Sequence, residues 1–288
     1  MRELCGKTSL RYTAGCYCEK EKIIVSEPII IAFLGKGGVG KTVLSALMGS
    51  ILSAQSRKVL FVDADPAMGL TSALEVSDIK TIGTAREEII RQAKISNSSE
   101  EKERLADIVD YLLMEALYEG PDFGMIAMGQ TNTLGCYCPI NNLLRSTIKE
   151  IASQYEVVII DAEAGIEQVN RQVVESVHYP VIVTDNSKRG AQTATMISQL
   201  LKKVPQMAPV KVGAVFNRVI EADKDLMNII RNAGMEYYGN VKPDPAISKL
   251  DRHGTSIAKI DITSLAISGM ISILEKMGAF GQKIKTGK

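Results

Sequence analysis

The chain has 288 residues, 45% hydrophobic and 23% charged, with 34 Lys+Arg against 33 Asp+Glu. Length and composition exclude a disordered chain and allow one large or two small domains, and a net charge of +1 leaves no global field favouring nucleic acid or a membrane surface. No apolar run approaches the roughly 20 residues of a spanning helix, and the N-terminus lacks a secretory segment, so the expectation is a soluble, cytoplasmic protein.

Residues 1–27 carry mixed charge ("CEKEK") and read as an N-terminal extension, with 28–288 as one domain. The extension holds Cys5, Cys16 and Cys18, and Cys16 and Cys18 belong to a Gly-Cys-Tyr-Cys word that recurs at Cys136 and Cys138. An odd cysteine count and one-residue spacing argue for reduced thiols rather than a disulfide framework.

The first strand expected is "IIIAFL" (29–34). It runs into Gly35, Lys36, Gly37, Gly38, Val39, Gly40, Lys41 and Thr42, a full match to the G-x-x-x-x-G-K-[ST] phosphate loop between strand and helix. Its glycines let backbone N–H groups curl around an anion, and the helix beyond adds its positive dipole end. Lys41 is expected to reach the outer phosphates of ATP, and Thr42 to give a hydroxyl to Mg²⁺.

"KVLFVD" (58–63) is the next strand, with Asp63 and Asp65 expected to point together toward the loop; the plain alternative for each is a cap or turn residue. Residues 84–119 read as a helical insertion with a polar break at "SNSSEEKE". Its apolar face runs through Leu105, Ile108, Val109, Leu112, Leu113, Ala116 and Leu117. After the strand "GMIAM" (124–128), Cys136 and Cys138 fall in a segment read as extended, where positions i and i+2 share a face. An amphipathic helix follows through Leu143, Leu144 and Ile148. Two sulfurs do not complete a tetrahedral thiolate site, whereas a two-fold dimer supplies four.

"VVIID" (157–161) ends at Asp161, a fit for the Mg²⁺-associated carboxylate, with Gly165 able to let the next loop move. "PVIVT" (180–184) and "VKVGAVF" (210–216) are further strands, separated by a helix through Met196, Ile197, Leu200, Leu201 and Val204; Asn217 and Arg218 follow the last strand. "KPDPAI" supplies Pro243 and Asp244, a helix start, and an amphipathic C-terminal segment with a basic tail reads as a helix packed on the sheet. His178 and His253 read as ordinary polar residues. Strands alternating with helices give an α/β fold, doubly wound, with a mostly parallel sheet and helices on both faces.

A second lysine at the front of the loop, in "GKGGVGKT", resembles the deviant Walker A ATPases, which include the nitrogenase iron protein, MinD and ParA. That resemblance implies an ATP-dependent homodimer in which Lys36 reaches the partner's nucleotide. It also implies that Asp65 positions the attacking water, that Asp63 lies near the metal, that Asn217 and Arg218 read the adenine edge, and that the Pro243 loop packs on the base. Val43 stands where the class often has a second Thr contacting the inner phosphate. The stretches "VDADP", "MGQTNTLGCYCPINNLLR", "VVIIDAEAGIEQVNR" and "VTDNSKRGAQTATMI" further resemble the CooC-type ATPases that mature nickel enzymes. What this implies is Ni²⁺, or Zn²⁺ as a competing ion, held between Cys136 and Cys138 of two subunits and delivered to apo carbon monoxide dehydrogenase or acetyl-CoA synthase. Two other functions are weighed: a [4Fe–4S] reductase component and a positioning ATPase of the MinD and ParA kind. No nucleic-acid or membrane partner is expected.

Overall fold

The computed structural model describes residues 27–95, 108–130, 138–162, 177–203 and 212–279, with backbone alone for 94–95 and 138–143. The described strands are β1 (Ile29–Leu34), β2 (Val59–Asp63), β3 (Leu117–Glu119), β4 (Phe123–Ala127), β5 (Val157–Asp161), β6 (Tyr179–Thr184), β7 (Gly213–Asn217) and β8 (Glu236–Val241). They form one sheet of order β3-β4-β2-β5-β1-β6-β7-β8, parallel throughout except that β3 runs against β4. The described helices are α1 (Lys41–Ala54), α2 (Gly69–Ala73), α3 (Ile82–Ile95), α4 (Cys138–Ala152), α5 (Lys188–Lys202), α6 (Lys224–Asn232), α7 (Pro245–His253) and α8 (Leu265–Met277), with a further helical stretch at 108–115.

The central strands β1, β2, β5 and β6 are apolar at consecutive positions because both faces are covered, and their two-residue alternation divides them between two cores. Ile30, Ala32, Leu34, Leu60, Val62, Val158 and Ile160 face one side, where they join Ile89, Ile148, Ile197 and Ile230 of α3, α4, α5 and α6. Ile31, Phe33, Val59, Phe61, Val157 and Ile159 face the other, against Leu44, Leu47, Met270 and Ile273 of α1 and α8. Phe61 is fully buried and meets Phe123 edge-on at 5.1 Å. Burying such a ring stabilises the fold by roughly 1.5–3 kcal/mol.

Two strands escaped the sequence pattern. Leu117, expected on a helical face, begins β3 and pairs with Ile126 across an antiparallel register; pairing with a neighbour outweighs a helical period that stops at 115. β8 is hidden by its polar composition, since only Tyr238 and Val241 of its six residues are buried. In α5, Ile197 and Leu201 are buried as expected, but Met196 and Leu200 are 63% and 56% exposed, so the core-facing stripe is narrower. "SNSSEEKE" and Val204 lie outside the described residues. The C-terminal helix does pack on the sheet, burying Ala266, Ile267, Met270, Ile273, Leu274 and Met277. Among the described residues, no helix is long and apolar enough to cross a membrane.

Candidate functional site

Seven of the eight strands run parallel, so their carboxyl ends share one edge. β1 is central, with β2 and β5 on one side and β6 and β7 on the other, which opens the crevice where such sheets bind ligands. The phosphate loop leaves β1 at this edge and enters α1 through Gly40, a left-handed N-cap with φ 92°. Gly35 allows the loop to press against β6: its φ is 144°, and a Cβ there would stand 2.3 Å from Val183 O. Gly37 and Gly38 face open space. Lys41 is buried, and its Nζ donates to Lys36 O at 3.3 Å, so the ammonium lies over the loop's own backbone. Thr42 is half-buried beside Gly69, and Val43 packs into the core around α1.

Three aspartates expected at the site come together, with different surroundings. Asp161 pairs in register with Asp63 across β5 and β2. It is 1% exposed, and neither carboxylate oxygen meets a partner at hydrogen-bond geometry. Burial pushes its pKa up to about 7; the Thr42 hydroxyl and Lys41 oppose the rise, while Asp63 and Asp65 add to it. Asp63 is fully buried as well, but its oxygens are engaged. Oδ2 accepts from Thr71 N and Thr71 Oγ1, each at 2.9 Å, and Oδ1 from Asp65 N at 3.3 Å. Burial raises its pKa against those bonds. Asp161 is therefore the carboxylate with acceptor capacity free for a cation. With the Thr42 hydroxyl it makes an all-oxygen donor set suited to Mg²⁺.

β2 ends at Asp63, so the strand alternation from which a shared direction of Asp63 and Asp65 was expected does not extend to Asp65. Asp65 sits in the turn beyond, half-buried, and its Oδ1 accepts from Ala67 N at 2.9 Å. Asn217 closes the site from β7. Its Nδ2 donates to Val39 O at 2.8 Å and its Oδ1 accepts from Arg218 N at 3.0 Å, so its amide braces the loop. Arg218 is exposed in a left-handed conformation with φ 59°. Asp244 is a cap: it accepts from Ala246 N at 2.8 Å to start α7, and from Ser264 Oγ at 2.6 Å and Ala266 N at 3.0 Å to tie on α8. Pro243 and Asp244 border a cavity of about 460 Å³ with Lys249, Arg252 and His253. His178 is structural, its Nδ1 accepting from Ile30 N at 3.0 Å.

Cys136, Gly165, Cys5, Cys16 and Cys18 lie outside the described residues. Cys138 is the first residue of α4 rather than part of an extended segment. The extended backbone from which the i, i+2 alternation was expected therefore does not include Cys138. α4 follows β4 and precedes the parallel β5, so its first residue, Cys138, starts from the same sheet edge as the loop. Past the strand ends, two backbone bonds tie this edge together: Ala64 N donates to Asp161 O at 3.0 Å, and Met128 N to Asp63 O at 2.8 Å. Sequence reasoning missed Asp185, which stands just past β6 and pairs with Lys36. A carboxylate at a strand end was visible, but that β6 neighbours β1 was not.

Residues 30–257 match the family described as the CobQ/CobB/MinD/ParA nucleotide binding domain. An uncharacterized ATP-binding protein of Methanocaldococcus jannaschii is 33% identical over 253 residues, 86% of this chain and 98% of that protein. The carbon monoxide dehydrogenase accessory protein CooC of Rhodospirillum rubrum is 29% identical over 272 residues, 86% of this chain and 97% of that protein. Among solved structures, the septum site-determining protein MinD complexed with Mg-ADP from Pyrococcus horikoshii superposes with a TM-score of 0.64 at 20% identity, over 90% of this chain and 99% of that one. At that identity the likeness is one of fold.

Proposed function

We propose a metal-delivery function for a chain that belongs to the CobQ/CobB/MinD/ParA nucleotide binding domain family and is an ATPase of the MinD/ParA/CooC class. It binds nickel, or zinc as a competing ion, between Cys136 and Cys138 of two copies. It assists nickel insertion into an apo enzyme, carbon monoxide dehydrogenase or acetyl-CoA synthase. The observation that carries this reading is the position of Cys138 at the start of α4, on the nucleotide edge. The likeness to CooC over most of the chain supports it.

In this mechanism the loop N–H groups and Lys41 hold the phosphates of ATP, and Thr42 and Asp161 hold Mg²⁺, which when bound neutralises phosphate charge. Asp65 orients the attacking water, Asp63 fixes the turn that carries Asp65, and Asn217 with Arg218 sets the loop and the base side. Lys36 acts across the dimer. Structural zinc in zinc-finger peptides is worth roughly 10–16 kcal/mol, so delivery from a thiolate site needs a lever that deforms it. Two cysteine segments related by a two-fold axis change their coordination whenever hydrolysis shifts the two edges.

The test is metal analysis of anaerobically purified, nickel-loaded protein with and without ATP, for wild type and Cys136→Ser. The expected result is one nickel per dimer in the wild type, none in the variant, and unchanged nucleotide binding. Equal nickel in both proteins refutes the site. A visible iron–sulfur band after reconstitution would move the reading to electron transfer. A positioning role receives less support, because the apolar face of α8 is already buried; co-sedimentation with liposomes tests it.

A further inference from the structure

The front lysine of the loop is held inside its own chain. Lys36 Nζ donates to Asp185 Oδ2 at 2.7 Å, and Asp185 follows β6, the strand beside β1. Its seat is built by neighbours. Ser187 Oγ donates to Asp185 Oδ1 and accepts from Gly190 N at 3.0 Å, capping α5. Gly190 leaves the space, since a Cβ there would stand 2.2 Å from Asp185 Oδ1. The contact of Gly35 with Val183 sets the loop's front against the same strand end. Although burial pushes the Asp185 carboxyl up, the bonds from Lys36 and Ser187 hold it below its ordinary value.

We propose that Asp185 is a positioning residue for Lys36: it parks the lysine within its own subunit, and the lysine reaches a nucleotide phosphate only by leaving this carboxylate. The inference rests on the reading of the loop as an ATP site. An ammonium is a compact charge that a phosphate can take from one carboxylate without matching a fork geometry. The two side chains are 36% and 40% exposed, so solvent weakens the hold to a factor of about two to five. That strength suits a parking position, because a tighter pair would keep the lysine from nucleotide altogether. Asp185 also places a negative charge where phosphates approach.

Two readouts on the full-length chain test this. The first needs no nucleotide: acylation of Lys36 by an N-hydroxysuccinimide acetyl ester, followed by peptide mass spectrometry, in wild type, Asp185→Asn and Asp185→Ala. Lys36 should react about two to five times faster in both variants, other lysines unchanged, with the contrast shrinking in 1 M salt. The second is steady-state ATP hydrolysis, in which Asp185→Asn should lower the KM about two- to fivefold with a smaller change in kcat. Equal Lys36 acylation in wild type and in variants with native circular dichroism overturns the proposal. So does faster acylation with an unchanged or higher KM. A wild type that does not turn over ATP refutes the underlying nucleotide reading instead; the acylation contrast then records an ion pair without a parking role, which also overturns the inference.

Discussion

Asp161 makes an unusual demand on the folded chain, and Asp161→Asn measures it. The side chain is 1% exposed with both oxygens unpartnered, and its pKa rises from 3.8 to about 7. A carboxyl raised in the folded state binds its proton more tightly there than in the unfolded chain, so stability falls as pH rises between the two values. Below about pH 4 the cost vanishes, and above about pH 7 it is complete. A rise of about three units corresponds to an upper bound of about 4 kcal/mol at pH 8 and a little under 2 kcal/mol at pH 5. Asp63, also raised by burial, gives a background of the same sign, and because it repels Asp161 the asparagine variant eases that background as well. The asparagine variant should therefore be more stable than wild type in nucleotide-free, chelated buffer, with a gain about 2 kcal/mol larger at pH 8 than at pH 5. Urea titrations of both proteins at the two pH values read this directly. The same variant should lose most of its ATP hydrolysis. A gain that does not grow with pH, or a variant less stable at pH 8, refutes the claim that burial raises the Asp161 carboxyl.

Other residues give sharper local tests. Gly35→Ala forces a Cβ against Val183 O at 2.3 Å and a strained φ of 144°; a loss of roughly 2 kcal/mol or more in thermal stability is expected, with fluorescent ATP analogue binding abolished. Asn217→Ala strands Val39 O and should destabilise by about 1–3 kcal/mol while raising the KM for ATP. Asp244→Ala removes the cap of α7 and the tie to Ser264, costing about 1–2 kcal/mol by thermal melting. Despite some burial, Ser264 and nearby backbone N–H groups hold the Asp244 pKa below 3.8. Its contribution is therefore present above pH 4 and lost in acid, so the melting difference from wild type should shrink below pH 3. Thr42→Ala should raise the Mg²⁺ concentration needed for half-maximal hydrolysis severalfold.

Much of the architecture was legible because its strands are buried on both faces. "IIIAFL", "VLFVD" and "VVIID" announce themselves by continuous apolar character, and the loop glycines by their spacing. β3 and β8 were not legible, since their identity depends on partners distant in sequence: Leu117 needs Ile126, and the polar strand at 236–241 needs β7. At the site, spacing brought Lys41, Thr42, Asp63 and Asp161 to one edge, yet it could not divide labour among the aspartates. Only the contacts distinguish Asp63, occupied by Thr71, from Asp161, whose oxygens meet no partner at hydrogen-bond geometry. Asp185 depended on strand order, which no local pattern encodes.

The two margins of the sheet have a consequence for how copies of this chain can meet. β3 is three residues long and reverses direction, and β8 shifts register opposite Ala214 and Val215. Neither border offers the long, flat row of unpaired backbone groups that recruits another strand. A chain with such borders resists growing sideways into fibrils even when crowded. Among the described residues, association is left to loop tips and helix surfaces, contacts made of side chains that can be undone without tearing a hydrogen-bonded ladder.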